Sequence, residues 1–420
     1  MPFILYSQSE LTLQKAIERT LQNNYNIRIV KKDVQIADNN LSYGNSGFLP
    51  SLDLSGTYKL SGEDTETKTE DQTYPGEDNR SKSLNGSVSL GWTLFDGFAM
   101  FARYDKFEDI KKLNEITLQL EIESRLQELF DTFYQIVMVK ENIQLLEETL
   151  KFSQERVDFL KSSNIYGAST GTEVLIAEVD YNNDFSTLKR QNVSLNTALN
   201  KLKYIMGETN DENFEITSTI EINDLDEYSK LKDLAFERNS TIRQAIANRK
   251  ISELDEKLIE AAYYPNIKVS ASYSNSQNTS DKGFILESSN IGYNASINAS
   301  WNIFDGFKTS IADENAKINT EKQDIYIQNI RAVIAMNLKT NYDAFTDLIE
   351  ILALENQNLE TAKESFERSK SMFKYGSINA LELRQSQVNL LEAKQRIANL
   401  KYEIKTYETA ILMLTGQLGG

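Results

Sequence analysis

The sequence is written twice, and that duplication constrains the fold more than any other feature. Trp92-Thr-Leu-Phe-Asp-Gly-Phe98 returns 209 residues later as Trp301-Asn-Ile-Phe-Asp-Gly-Phe307. The same offset relates Tyr166-Gly167 to Tyr375-Gly376 and Met206-Gly207 to Thr415-Gly416. Upstream the offset is 215: Phe48-Leu-Pro50-Ser-Leu-Asp-Leu matches Tyr263-Tyr-Pro265-Asn-Ile-Lys-Val, and Ile27-Arg28 matches Ile242-Arg243. All six residues of length difference therefore fall between the Pro and Trp motifs. Chance does not hold register over roughly 120 residues, so the chain is read as two structural repeats, residues 1-210 and 211-420.

Proline is confined to Pro2, Pro50, Pro75 and Pro265, which leaves room for very long helices. Ile122, Leu126, Leu129, Phe133, Ile136 and Ile143 keep coiled-coil steps, interrupted at Lys140, and Ala335, Leu338, Tyr342, Phe345, Ile349 and Leu352 do so in the second copy. The spacing predicts a helix from Phe98 to about Ser162. Both copies break at Tyr-Gly and resume, over Thr172 to Tyr204 and Ala380 to Leu414. Each repeat thus carries a long helical hairpin, turning near 166–171 and 375–379. A shorter helix opens each repeat.

Between the Pro and Trp motifs the period changes to two. The apolar sets are Leu52, Leu54, Tyr58, Leu60; then Val88, Leu90, Trp92, Leu94; then Ile267, Val269, Ala271, Tyr273; then Tyr293, Ala295, Ile297, Ala299, Trp301, Ile303. The residues between them are hydrophilic or Gly. Four strands of about ten residues follow, near 50–60, 84–95, 265–275 and 291–304, each with one apolar and one polar face. The linkers Ser61 to Lys82 and Asn275 to Asn290 are polar. The aromatics Trp92, Phe95, Phe98, Trp301, Phe304 and Phe307 stand at strand ends, as a membrane-interface girdle does. These strands suit a transmembrane β-barrel better than a soluble sheet. Four strands cannot close a barrel, and an open edge in lipid leaves backbone groups unsatisfied. Several chains must share one: two would give eight strands, three twelve and a lumen.

Composition narrows the chemistry. With 62 acidic against 45 basic residues and a net charge of −17, the chain is no nucleic-acid binder. It has no Cys and no His, so thiolate nucleophiles, imidazole bases and Cys/His metal sites are excluded, and no cofactor, metal or catalytic residue is assigned. A two-carboxylate hydrolase has acids to draw on, but none stands in a strand-end or cleft signature. No apolar run reaches the roughly 20 residues of a spanning helix. Met1-Pro-Phe-Ile-Leu-Tyr-Ser lacks the basic stretch and apolar length of a signal peptide. The competing reading is a soluble coiled-coil scaffold or adaptor without a pore, which accounts for the helices but not for four two-faced strands.

From Leu11-Thr-Leu-Gln-Lys-Ala-Ile-Glu, with its Asn23-Asn24 end, to Leu414-Thr-Gly416, the pattern resembles the TolC-like outer-membrane efflux proteins. The Pro-led strands, the Phe-Asp-Gly turn after each Trp and the two Tyr-Gly hairpins occur in that family's order. The resemblance implies a mainly α fold with β. In it a tandem-duplicated protomer of four strands plus long coiled-coil helices completes a trimeric twelve-stranded β-barrel and an α-helical tunnel. It implies a homotrimer in outer-membrane lipid with its tunnel in the periplasm. Such a duct works passively with a periplasmic adaptor and an inner-membrane transporter, in efflux or type I secretion. An iris-like movement of the hairpins opens it. By the same resemblance the tips Tyr166, Gly167, Ala168, Ser169 and Tyr375, Gly376, Ser377, Ile378 meet the adaptor. Glu382 faces the lumen at the periplasmic constriction; Glu173 holds the first-copy position, and Gln385 stands where relatives carry a second acid. Arg384 is a possible partner for Glu173 across hairpins.

Overall fold

The computed structural model describes residues 9–208, 214–217, 219–282 and 285–418. The N-terminal stretch Met1 to Ser7 and the repeat boundary at 210/211 lie outside them. In chain order the elements are β1 (Ser9–Glu10), α1 (Leu13–Asn23), α2 (Tyr25–Asn40), α3 (Tyr43–Ser46), β2 (Ser51–Lys68), β3 (Thr73–Asp96), α4 (Ala99–Ile165) and α5 (Gly171–Ile205). There follow β4 (Phe214–Glu215), α6 (Tyr228–Arg238), α7 (Ser240–Glu260), a 3-10 turn (Ala261–Tyr263), β5 (Asn266–Ser280), β6 (Glu287–Ser300), α8 (Lys308–Lys374) and α9 (Ala380–Leu414). The hairpin helices match in length across the copies, 67 residues for α4 and α8 and 35 for α5 and α9. Two compact units are distinguished.

The first unit comprises Met1–Asp33, Glu115–Gln244 and Ile327–Gly420. Its core is the apolar seam expected from the 4-3 spacing: Leu126, Leu129, Phe133 and Ile136 of α4 are buried with Leu202, Ile205 and Met206. The duplication is carried here down to single hydrogen bonds. Asn24 Nδ2 donates to Ile205 O at 2.7 Å, while its Oδ1 accepts from the Asn26 and Ile27 N–H groups. Asn239 does the same with Leu414 O at 3.0 Å and with Thr241 and Ile242. Each Asn thereby caps one helix and satisfies the last carbonyls of another, at both orphaned ends. Gly207, at φ +70, follows immediately; a Cβ there would run into the Asn23 carbonyl. That close approach fixes the residue type of the motif.

The second unit comprises Val34–Asn114 and Ala245–Tyr326. Its sheet is antiparallel throughout, in the order β2-β3-β5-β6. Register places like with like. Leu54 opposes Val88, Val88 opposes Tyr273 and Tyr273 opposes Tyr293 on one face. Hydroxyls pair on the other, Ser55 with Ser87 and Ser270 with Ser296, each at 2.8 Å. The outer strands, β2 and β6, pair on one side only.

Three strand expectations are corrected. Both hairpins are longer than expected: pairing runs on through the polar linkers, out to Lys68 opposite Thr73 and to Thr279 opposite Glu287. A ladder needs only backbone groups, so polar side chains on both faces do not end a strand outside an apolar layer. Leu94 is not the next apolar-face residue after Trp92. A register shift between Thr93 and Phe95 leaves Leu94 unpaired and puts Phe95 opposite Ile267, as a bulge re-aims its neighbours. Finally β6 stops at Ser300, before Trp301 and Ile303.

Each strand-to-helix junction is held by its motif. Trp92 Nε1 donates to Phe48 O at 2.9 Å and Trp301 Nε1 to Tyr263 O at 3.0 Å, each two residues before the Pro. Asp96 and Asp305 accept from the N–H groups of Met100 and Thr309, capping α4 and α8. Gly97 and Phe98, like Gly306 and Phe307, are all left-handed, with φ between 68 and 72. A Phe in that region is strained, so the Asp cap and Trp tether hold the elbow against its own preference.

Candidate functional site

The two hairpin tips share one design. After α4, Gly167 turns left-handed at φ +72; its N–H donates to Asn164 O and that of Ala168 to Ser163 O. After α8, Gly376 does so at φ +71, with bonds from its own N–H to Phe373 O and from Ser377 to Met372 O. These are αL caps that satisfy the last carbonyls of each helix. Tyr166 and Tyr375 stand 86% and 81% exposed. Gly167, Ala168, Gly376 and Ser377 are exposed; Ser169 and Ile378 are half-buried, with Ser169 Oγ donating to Leu160 O.

The acids six residues beyond the glycines open the return helices. Thr170 N-caps α5, and Glu173 closes a capping box: its Oε2 accepts from Thr170 N–H at 2.7 Å and from the Thr170 hydroxyl at 3.0 Å. The Thr170 N–H, then its hydroxyl, hold the Glu173 carboxyl below the usual carboxylate range. Asn379 caps α9 through Glu382 N–H at 2.9 Å, and Glu382 Oε1 accepts only a longer bond, 3.3 Å, from Asn379 Nδ2. Glu173 is thus committed to its helix end, whereas Glu382 is exposed with a lightly held carboxylate. Gln385, one turn on, is also exposed and donates to Asn389.

Behind the tips lies a buried polar junction. Arg384 does cross between hairpins, but its partner is Asp184 and not Glu173: Nη1 donates to Oδ2 at 2.8 Å and Nη2 to Oδ1 at 2.7 Å. Ser153 Oγ donates to the same carboxylate at 2.6 Å. Arg156 Nη2 donates to Asp180 at 2.6 Å, and Arg384 Nε lies 3.8 Å from that acid. Gln387 donates to Thr149 O and Ser153 Oγ. Two guanidiniums meet two carboxylates, with Arg156 and Asp184 over nine-tenths buried. The group therefore closes electrically among α4, α5 and α9. Burial pulls the Arg156 pKa down, and the Asp180 bond opposes that pull. The signal that could have revealed the junction is its helical spacing: Ser153/Arg156, Asp180/Asp184 and Arg384/Gln387 are pairs three or four apart, each placing two polar groups on one face.

The strand-end aromatics occupy several settings. Trp92 and Trp301 are tethered by their indole N–H, while Phe95 stacks edge-on to Phe98 and Phe304 to Phe307. Leu54, Tyr58, Tyr293 and Ile297 on the sheet's apolar face are all strongly exposed. So large a continuous apolar surface marks a lipid or protein contact. Among the described residues no helix is long and apolar enough to cross a membrane. One carboxylate trio, Glu256, Glu260 and Asp313, has its ligand atoms within 4.8 Å of one another, and Lys317 pairs with Asp313 at 2.9 Å.

Comparison with known proteins covers most of the chain. The sequence profile of a family described as outer membrane efflux protein matches residues 16–208 and 231–417. No curated protein matches. Among solved structures, the fold is similar to CusC, whose crystal structures concern folding and transmembrane channel formation. The TM-score is 0.79 at 15% identity over 97% of this chain and 93% of that one. The Campylobacter jejuni CmeC outer membrane channel matches with TM-score 0.78 at 15% identity, over 96% and 85%. The Vibrio cholerae outer membrane protein VceC matches with 0.74 at 13%, over 96% of both. At such identities these likenesses speak for the fold.

Proposed function

The chain belongs to the outer membrane efflux protein family, and from that premise we propose that three copies form a passive export duct through the outer membrane. The single observation that carries this reading is the four-stranded sheet. It has one exposed apolar face, one hydroxyl-lined face and two outer strands each paired on one side only. Lipid suits the first face and water the second. A barrel of shared strands removes the open edges. Three chains give twelve strands, enough to leave a lumen, whereas eight leave an interior that side chains fill. Each chain contributes both repeats to that barrel and to the tunnel its hairpins build. A soluble scaffold would leave the apolar face in water.

The tips, residues 166–169 and 375–378, are the docking points for a periplasmic adaptor, which links the duct to an energised inner-membrane transporter. Both tyrosine side chains are strongly exposed, as residues at a recognition surface are. Glu382 lines the constriction; its carboxylate is free to face a lumen, and copies from three subunits make an anionic ring that favours cations. Gln385 adds no charge to it, and Glu173 serves its helix cap. Opening is an iris-like displacement of the hairpins, and the Arg384–Asp184 junction restrains it by tying α9 to α4 and α5.

The reading is tested by mass measurement in detergent and in its absence. A detergent-dependent particle of three chains is expected. A single chain, monodisperse in aqueous buffer without detergent, would overturn the duct and restore the scaffold.

A further inference from the structure

The two repeats repeat their sheet register as well as their sequence. Leu54↔Val88 becomes Val269↔Ile297, and Leu52↔Leu90 becomes Ile267↔Ala299, under the offsets of 215 and 209. The contact of repeat 1 with repeat 2 is present in the chain, where β3 pairs with β5 and α4 faces α7. The contact of repeat 2 with a following repeat 1 is missing. Its two surfaces are exposed where their counterparts are covered. Gly97 is so close to Ala261 and Tyr264 that a Cβ would collide, whereas Gly306 has nothing within 4 Å. Ala102 is buried, whereas Ile311 at its position is exposed, as is Ile318 seven residues on. Ile251 and Leu258 of α7 are half-buried, whereas Ile36 and Tyr43 at their positions on α2 and α3 are exposed. Strand β3 continues through Trp92–Asp96 because β5 pairs with it there; β6 ends at Ser300, where no such strand follows.

We propose that β6 and α8 of one copy seat on β2 and α2 of the next in the register that β3 and α4 already use with β5 and α7. The reading rests on the shared barrel proposed above and assigns its seam residue by residue. Trp92↔Val269 translates to Trp301 opposite the partner's Leu54. Leu90↔Ala271 becomes Ala299 opposite the partner's Gly56, and Val88↔Tyr273 becomes Ile297 opposite the partner's Tyr58. All three of these translated pairs are apolar or Gly, a match that a slip by one residue would destroy. Residues 301, 302, 304 and 305 thereby gain the ladder partner they lack, and Ile303 takes the bulge position of Leu94. Beyond the sheet, the Phe98–Tyr264 ring contact becomes Phe307 against the partner's Leu49. The ion pair of Lys106 with Asp255 becomes Asn315 against the partner's Asn40. Both members of the pair have changed together, from opposite charges to two amides. A seam carrying only one of the two changes would leave a charge without its counter-ion. The exposed Ile311 and Ile318 then meet the partner's Tyr43 and Ile36, apolar on apolar.

The chain has no cysteine, so introduced pairs report without background. Residues opposite each other in an antiparallel ladder have Cα atoms about 4.5–5.5 Å apart, within disulfide range. In the full chain in detergent, Ala299→Cys with Gly56→Cys is expected to shift the denatured band from single chain to covalent multiples on oxidation. Ala299→Cys with Leu54→Cys or Tyr58→Cys samples registers slipped by two and is expected to stay at single-chain mass. Should the strand variants fail to assemble, Asn315→Cys with Asn40→Cys and a short thiol-to-thiol reagent probes the seam outside the sheet, again with chain-to-chain products expected. Linkage in a slipped pair, or dimers from Ala299→Cys alone, overturns the register. A particle that assembles and conducts without linkage at either mapped pair overturns the seam and leaves the duct standing. A lone, non-conducting chain overturns both.

Discussion

At the residue scale, the group that most shapes behaviour is Arg384. The sequence marks it only as a cation between Glu382 and Gln385, with Glu173 as a possible partner across hairpins. The fold chooses Asp184 because Glu173 is already spent on the Thr170 cap. Buried ion pairs contribute little over apolar replacements, but removing one partner strands the other. Asp184→Ala leaves Arg384 and Ser153 facing an empty site and is expected to cost about 3–5 kcal/mol of local stability. If the junction restrains opening, the same variant raises the open fraction of the duct in bilayers. Arg384→Leu with Asp184→Leu, which removes the charges together, is expected to recover stability but not the restraint. An unchanged open fraction in both variants would show that the junction is only structural. Thermal unfolding and current recording on the same preparations separate the two effects.

At the element scale, the hairpin helices were legible almost to the residue, because a 4-3 apolar pattern, a Tyr-Gly stop and a polar cap each have one reading. Ala380–Leu414 is the span expected from sequence alone. The single shorter helix expected at the start of each repeat is instead two, α1 and α2 or α6 and α7, broken where Asn24 and Asn239 cap the second. The strands were legible in period but not in extent. Alternation shows where one face turns apolar, yet pairing continues wherever a partner strand is present, as from Ser61 to Lys68, and stops where it is missing, as at Trp301. The bulge at Leu94 left no trace in the pattern, since Leu94 and Phe95 are both apolar and either could continue the face. The junction behind the tips was illegible for another reason: its polar residues sit on helices, where charged side chains are normally solvated. The face assignment itself is testable. Val88→Arg places a charge amid Leu54, Tyr273 and the lipid face, and is expected to destabilise the barrel by about 2–4 kcal/mol. Ser89→Arg, one residue on and pointing to the hydroxyl-lined face, is expected to be tolerated. Equal costs for the two, read by thermal unfolding in detergent, would contradict the lipid-out, water-in assignment.

At the scale of the whole molecule, one chain is an incomplete object. Its sheet has two open edges, its apolar strand face has no cover, and its second repeat lacks the neighbour that its first repeat has. Three copies in a membrane resolve all of these at once, and a net charge of −17 per chain makes the assembly an acidic conduit. Its selectivity then depends on where the charge meets the lumen, and Glu382 is the acid proposed above to do so. Single-channel recording of the purified protein in planar bilayers, wild type beside Glu382→Ala, tests this most directly. The account predicts discrete conductance steps with cation preference in the wild type, and a weaker preference in the variant with the steps retained. The absence of any conductance from correctly assembled protein would contradict it.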